Sequence, residues 1–283
     1  MSSHNSKLLA GIKAVSLSIN APGPVAAARL ARMGAEVLKV EPPAGDPLKT
    51  AAPAWYNSLC RSQTVTTLDL KDAAGRKELE TCLAGADLLL ASFRPSALRR
   101  LELDWESVHR RHPQLCFAGI IGYPPPLEER SGHDLTYLAS AGLLSPPQLP
   151  LSLFVDLAGA ERCVSAALAL LVNFSRTGQA RCELVSLYEC ACDLAAPWQV
   201  GLTRREGFLG GGSPFYSMYQ TSDGWIAVAA LEPHFAQRLL SELGVAKPDS
   251  TKLAELFRSR SATAWEEWAA ERDLPLMAVR GSD

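Results

Sequence analysis

Three adjoining stretches decide the fold: Ala14-Val-Ser-Leu-Ser-Ile19, Val25-Ala-Ala-Ala-Arg-Leu-Ala-Arg-Met33 and Glu36-Val-Leu-Lys39-Val40. The first is short, apolar and carries β-branched side chains, as a buried strand does. Pro22-Gly23-Pro24 breaks it, because proline has no N–H to give to a sheet ladder. The second is rich in alanine and reads as a helix, closed by Gly34 as its C′ glycine. The third is a strand again, stopped by Pro42 and Pro43. Together they make one βαβ unit.

The pattern continues outward. Thr64 to Leu70 alternates like a strand, Asp72 to Leu83 reads as a helix, and Asp87 to Ala91 is a buried-strand run. A short helix from Ala97 and another N-capped by Asp104 lead to a strand over Leu115 to Ile121. Gly132 to Ala141 is a compact helical segment. A proline-rich loop, Ser145 to Pro150, precedes Leu151-Ser-Leu-Phe-Val-Asp156. A long Ala/Leu helix runs from about Ala158 to Arg176, and Cys182 to Leu187 is a further strand. Strands interleaved with helices predict an α/β fold, a parallel sheet with helices on both faces. Ligands in such sheets sit beyond the carboxyl ends of the strands, near a switch point. Those ends carry Ser18-Ile-Asn20, Glu41-Pro-Pro43, Phe93-Arg94-Pro95 and Gly122-Tyr123.

After Gly207 the character changes. Gly210-Gly-Gly212 is a joint, and Tyr216 to Gln220 with Trp225 to Ala230 predicts a hairpin through Ser222-Asp223-Gly224. Helices follow at His234 to Leu243 and Lys252 to Ser259, a third with the capping box Thr263-x-x-Glu266, and then a short strand, Leu276 to Val279. The expected organisation is a large domain over 1–205 and a small α/β domain over 206–283.

The chain has 283 residues, more than one core usually grows to, which agrees with two unequal lobes. The net charge of −2 provides no field for a nucleic acid backbone or an anionic membrane, so neither is an expected partner. The longest apolar stretch, Cys163 to Phe174, is too short to span a bilayer. Seven scattered cysteines without a C-x-x-C predict buried free thiols in a reducing, cytoplasmic setting. No Cys/His cluster has zinc-ligand spacing, so no metal is expected.

Six stretches in order then carry a family resemblance. They are Leu9-Ala-Gly-Ile12 through Ala21-Pro-Gly-Pro24 to Gly34-Ala-Glu-Val-Leu-Lys39-Val-Glu41-Pro-Pro43; Thr67-Leu-Asp-Leu-Lys71; Ala86-Asp87-Leu-Leu with Phe93-Arg94-Pro95; Ser131-Gly132-His133-Asp134-Leu-Thr-Tyr137; Phe154-Val-Asp156-Leu-Ala-Gly159; and Gly211-Gly-Ser-Pro214-Phe-Tyr216 through Val228 to Phe235. In this order the chain resembles the class III coenzyme A-transferases (the CaiB/BaiF type), which include the α-methylacyl-CoA racemases. The resemblance implies a Rossmann-like large domain, a homodimer and an acyl-CoA thioester as substrate, with CoA part of that substrate and no separate cofactor.

Two chemistries compete within the family, and both use the position of Asp156. In the transferases the matching aspartate is a nucleophile that attacks the thioester. In the racemases it is an acid or base at the α-carbon, and the histidine matching His133 works from the opposite face. Gly132-His133-Asp134 resembles the racemase form, as does Ala230-Leu-Glu232-Pro-His-Phe235, where the glutamate orients the histidine. The expected catalytic set is therefore His133, Asp156 and Glu232. Taken alone, His133 suits a capping or core role, Asp156 the N-cap of the helix near Ala158, and Glu232 a helix start. Lys39, Arg61 and Arg94 are the expected holders of CoA, with Pro22 and Gly23 either letting backbone approach the thioester or forming a plain tight turn; Arg61 also suits a solvated loop charge, and Lys71 reads as one. A catalytically weak paralogue that binds CoA esters is a third reading.

The sequence departs from the family pattern in four places. Asn57-Ser-Leu-Cys-Arg61-Ser replaces a stretch usually rich in Arg, Lys and Gly. Tyr123-Pro-Pro-Pro-Leu-Glu-Glu-Arg130 replaces a glycine-glutamine loop. The loop before Asp156 is short and proline-rich. Family members continue beyond the point matching Asp283 with a segment that returns to the large domain, which leaves open how a dimer of this chain would close.

Overall fold

The computed structural model describes residues 7–281. In the first of two compact units the chain runs β1 (Lys13–Ser16), α1 (Pro22–Arg32), β2 (Glu36–Glu41), α2 (Leu48–Ala51), α3 (Pro53–Cys60), β3 (Thr64–Thr67), α4 (Ala73–Ala84) and β4 (Leu88–Ala91). It continues through α5 (Pro95–Arg100), α6 (Trp105–Arg111), β5 (Cys116–Ile121), α7 (Asp134–Ala141), α8 (Phe154–Thr177), β6 (Cys182–Ser186) and into α9 (Leu187–Gln199). All six strands are parallel, in the order β3-β2-β1-β4-β5-β6. The direction of winding reverses between β1 and β4, and that is the switch point.

The sequence of β4 shows why helices cover both faces. Leu88, Leu89 and Leu90 are all buried. Alternate side chains of a strand point to opposite faces. Leu88 and Leu90 accordingly join the core under α1 and α8, while Leu89 joins the core under α4 and α6. Small side chains let α1 and α8 come together: Ala26 and Ala27 on one helix and Ala160 and Ala167 on the other are all buried in that core.

Some helix starts are set by side-chain caps. The Asp72 carboxylate accepts from Ala74 N–H at 3.1 Å, and Asp104 accepts from Ser107 N–H at 3.1 Å. Two expectations need correction. The long helix α8 starts at Phe154, not near Ala158, so Asp156 lies within its first turn and Leu153 is the N-cap residue. In the second unit Thr263 caps nothing: the cap of α12 (Ala262–Ala270) is Ser261, whose Oγ accepts from Ala264 N–H at 3.1 Å. Glu266 instead accepts from Ala278 N–H and Arg280.

The second unit begins at Ala196, ahead of the boundary expected at 205. The division falls inside α9, just before its internal Pro197. This unit holds β7 (Tyr216–Gln220), β8 (Trp225–Ala229), α10 (Pro233–Leu243), α11 (Ser250–Phe257), α12 and β9 (Leu276–Ala278). Its antiparallel sheet, β7-β8-β9, packs Ile226 and Val228 against Leu239, Leu253, Phe257 and Trp265. Among the described residues no helix is long and apolar enough to cross a membrane. The seven cysteines are unpaired, and burial pushes Cys163 and Cys182 up to about 12, away from thiolate chemistry.

Candidate active site

A cavity of about 250 Å3 opens at the carboxyl ends of β1, β4 and β5, the switch point of the sheet. His133 and Asp156 both line it, together with Pro22 and Arg94. Each arrives by a different local device.

His133 is the N-cap residue of α7, with extended backbone. Its N–H donates to Thr136 Oγ1 at 2.9 Å, and the Thr136 hydroxyl donates back to the His133 carbonyl at 2.8 Å. The backbone at His133 is thereby fixed by its neighbour. Gly132 just before it has to be glycine: a Cβ there would lie 2.5 Å from the Tyr137 ring. Tyr137 is buried along the same wall, meets Tyr123 edge-on at 5.2 Å between centroids, and has its hydroxyl pushed up to about 12 by burial, with Tyr123 and Asp156 adding to the effect.

Asp156 is held by its backbone. The buried Asp134 carboxylate projects from α7 and, through one oxygen, accepts from Val155 N–H at 2.7 Å and Asp156 N–H at 3.0 Å. A side chain from another helix thus caps α8. The bonds Asp134 makes therefore go to a helix start. Burial first, and the Asp134 charge second, push the Asp156 carboxyl up to about 7. A helix N-terminus favours a carboxylate anion, but here desolvation and the like charge prevail. A carboxyl that titrates near neutrality can both take and return a proton.

Pro22 is the first residue of α1. A Cβ on Gly23 would fall 2.1 Å from that of Ser18, so only glycine lets this helix start rest on the end of β1. Arg94 precedes Pro95 at the start of α5, and its Nη2 donates to Ser131 Oγ at 3.0 Å across the cavity mouth.

Lys39 has a different place from the one expected of it. Its side chain is 0% exposed, paired with Glu41 and with Asp46 at 2.8 Å. An ammonium so enclosed cannot meet a phosphate from solvent. Tyr56 donates to Glu41 at 2.8 Å, and Asp46 accepts from Asn20 N–H at 3.0 Å. Asn20 lines the cavity with φ at 67°, so this buried cluster supports the site from behind. Arg61 is exposed at the end of α3 and is not part of the cavity wall. Glu232 belongs to the second unit, where it directly precedes α10.

Sequence reasoning missed a second, more apolar groove of about 660 Å3 beyond β1, β2 and β3. Pro42, Pro43, Leu17 and Leu101 form its floor and walls, and Lys71, Arg76 and Arg100 bring positive charge. Phe93 lines this groove and the His133–Asp156 cavity alike. Lys71 was set aside as loop charge, and the helical positions of Arg76 and Arg100 gave no sign that they flank a groove. Among the described residues no three His, Cys, Asp or Glu side chains gather as a metal site.

Residues 9–282 match CoA-transferase family III. The chain belongs to this family. It is 32% identical over 279 residues to the human alpha-methylacyl-CoA racemase, an alignment covering 92% of this chain and 69% of the relative. It is 30% identical over 250 residues to the human succinyl-CoA:glutarate CoA-transferase, covering 80% of this chain and 57% of the relative. The crystal structure of a hypothetical protein from Mycobacterium tuberculosis superposes with a TM-score of 0.82 at 26% identity, over 96% of this chain and 85% of the other. This family III protein is an enzyme of acyl-CoA chemistry, and CoA is a moiety of its substrate, not a resident cofactor.

Proposed function

We propose that this family III enzyme is a racemase or epimerase that inverts the α-carbon of a 2-methyl-branched acyl-CoA. The observation that carries the reading is the shared cavity of His133 and Asp156, with the Asp156 carboxyl pushed up to about 7. Inversion needs two groups, because the proton must leave one face and return to the other. One of the pair removes the α-proton, the thioester becomes a planar enolate, and the other group delivers a proton from the far side. Each side chain is then left in the protonation state its partner held before, so reaction runs equally in both directions. The start of α1 offers an amide to the enolate oxygen at Gly23, since Pro22 and Pro24 have none.

The CoA handle has a natural place in the second groove. Lys71, Arg76 and Arg100 suit its phosphates, and the apolar walls suit the adenine. Arg94 lines the cavity that would hold the reacting end. Glu232 enters the proposal through the resemblance of its segment to the racemase branch, as the group that orients His133, and the homodimer enters on the same ground.

The test is exchange of the α-proton in deuterated water with a 2-methylacyl-CoA. Wild type washes in deuterium, and His133→Ala or Asp156→Ala slows this by at least about a hundredfold. Absence of exchange on every branched thioester defeats the reading.

A second reading is CoA transfer with Asp156 as nucleophile, and the similarity to the glutarate transferase favours it. It requires ping-pong kinetics and an adduct trapped on Asp156 that still forms in His133→Ala.

A further inference from the structure

Asn20 sits in the turn between β1 and α1 and lines the cavity of His133 and Asp156. Its backbone is left-handed, with φ at 67°, a conformation that few residues other than glycine adopt without support. The support is Asp46. One oxygen of this buried carboxylate accepts from Asn20 N–H and from Leu48 N–H, each at 3.0 Å, and the other accepts from Lys39 at 2.8 Å. Lys39 is tied in turn to Glu41, which accepts from the Tyr56 hydroxyl at 2.8 Å. The buried relay ends on one backbone amide at the cavity wall. Backbone held in a sparsely populated conformation by its surroundings collects at sites of function.

What the turn presents to the cavity is the Asn20 side chain. The residue is exposed, and among the described residues its carboxamide makes no hydrogen bond, since Asp46 holds the backbone N–H. Arg94 on the same cavity is already engaged with Ser131. Three residues beyond Asn20 lies the Gly23 amide, offered above to the reacting oxygen, so one short turn carries both groups. Either chemistry considered above loads negative charge onto that oxygen. Proton removal makes an enolate, and attack by Asp156 makes a tetrahedral oxyanion. A neutral donor fixed in advance stabilises such a charge without reorganising as the charge appears.

We infer that Asn20 is a catalytic residue whose carboxamide donates to the thioester oxygen as negative charge gathers there, and that Asp46 is the residue that positions it. The inference rests on the acyl-CoA reading above and holds for either reaction. It gives the buried Lys39, Glu41 and Asp46 cluster a task in the reaction.

The test compares two ligands by calorimetry: propionyl-CoA, and a CoA thioether ending in a nitroalkane, whose ionised nitronate carries negative charge on oxygen as an enolate does. Wild type is expected to bind the nitronate at least about tenfold more tightly. Asn20→Gly keeps the left-handed turn and removes the carboxamide, so it should lose about tenfold in nitronate affinity and little for propionyl-CoA. In α-proton exchange the same variant should lower kcat about a hundredfold and leave KM nearly unchanged. Asp46→Ala should weaken nitronate binding in the wild-type background and add no further weakening to Asn20→Gly, while it lowers Tm in both. A wild type without the nitronate preference, or an Asn20→Gly that retains it, overturns the inference. An Asp46→Ala loss of equal size in both backgrounds overturns the positioning role and marks a merely structural one. Should Asp46→Ala fail to fold, Asn20→Gly decides alone. The binding comparison needs no turnover, so a nitronate preference lost in Asn20→Gly without α-proton exchange keeps Asn20 and removes the racemase, and exchange without that preference does the reverse.

Discussion

The Asp134 carboxylate holds the backbone N–H of Asp156 at 3.0 Å, so one side chain both places the reactive carboxyl and raises its affinity for a proton. Positioning and tuning are separable by substitution. Asp134→Asn keeps the acceptor oxygen and removes the charge. The Asp156 carboxyl should then titrate below its present value of about 7, by less than the whole shift because burial is the larger cause. The limb of the exchange-rate profile that reports Asp156 moves to lower pH, which a pH series of deuterium wash-in measures. Asp134→Ala removes the cap as well, and a loss of about 1–2 kcal/mol in chemical unfolding is expected.

Asp156 should weaken the fold it serves. Its carboxyl is raised to about 7 in the native state, against an ordinary value near 4 when unfolded. Between these values the native state binds more protons, so this residue's contribution to stability falls as pH rises through the window and stays lost above it. Asp156→Asn, which carries no charge at any of these pH values, should therefore be more stable than wild type by about 1–2 kcal/mol at pH 8, after allowance for partial solvent exposure. The advantage should shrink toward pH 4. Melting curves at the two pH values check this, and a variant no more stable at pH 8 than at pH 4 contradicts it.

Lys39 and Arg100 should fail in opposite ways. Lys39→Met leaves Glu41 and Asp46 buried without their cation, and about 3–5 kcal/mol of stability should go. Arg100→Gln touches only the groove wall, so folding should hold while affinity for CoA falls about tenfold and becomes less sensitive to salt. Unfolding curves and CoA titrations at two ionic strengths separate the cases.

Gly132→Ala should displace Tyr137. The added carbon would meet ring atoms at 2.5–2.6 Å, and a buried ring has little room to retreat. A stability loss of about 1–3 kcal/mol and a drop in exchange rate are expected together, because the same segment carries His133. A crystal structure or Tm measurement of the variant tests this.

Much of this was legible in the chain. Prolines, a C′ glycine and the Asp104 cap mark the boundaries of the first βαβ unit and the start of α6, because those residues act on backbone within a few positions. His133 and Asp156 were legible through resemblance, and the structure gives them one cavity. What stayed hidden depends on neighbours distant in sequence. Lys39 reads as a strand-end cation until Asp46 and Glu41 close around it. The start of α8 reads as later than it is because its cap, Asp134, lies on another helix. Arg76 and Arg100 look like ordinary helix charges until folding sets them beside Pro42 and Phe93.

Phe93 stands as a partition between the groove and the cavity. A ligand filling both compartments must drape over one benzene ring, its tail gripped on one side and its reacting head released on the other. Such a divider would let the handle stay constant while the chemistry beyond it diversifies.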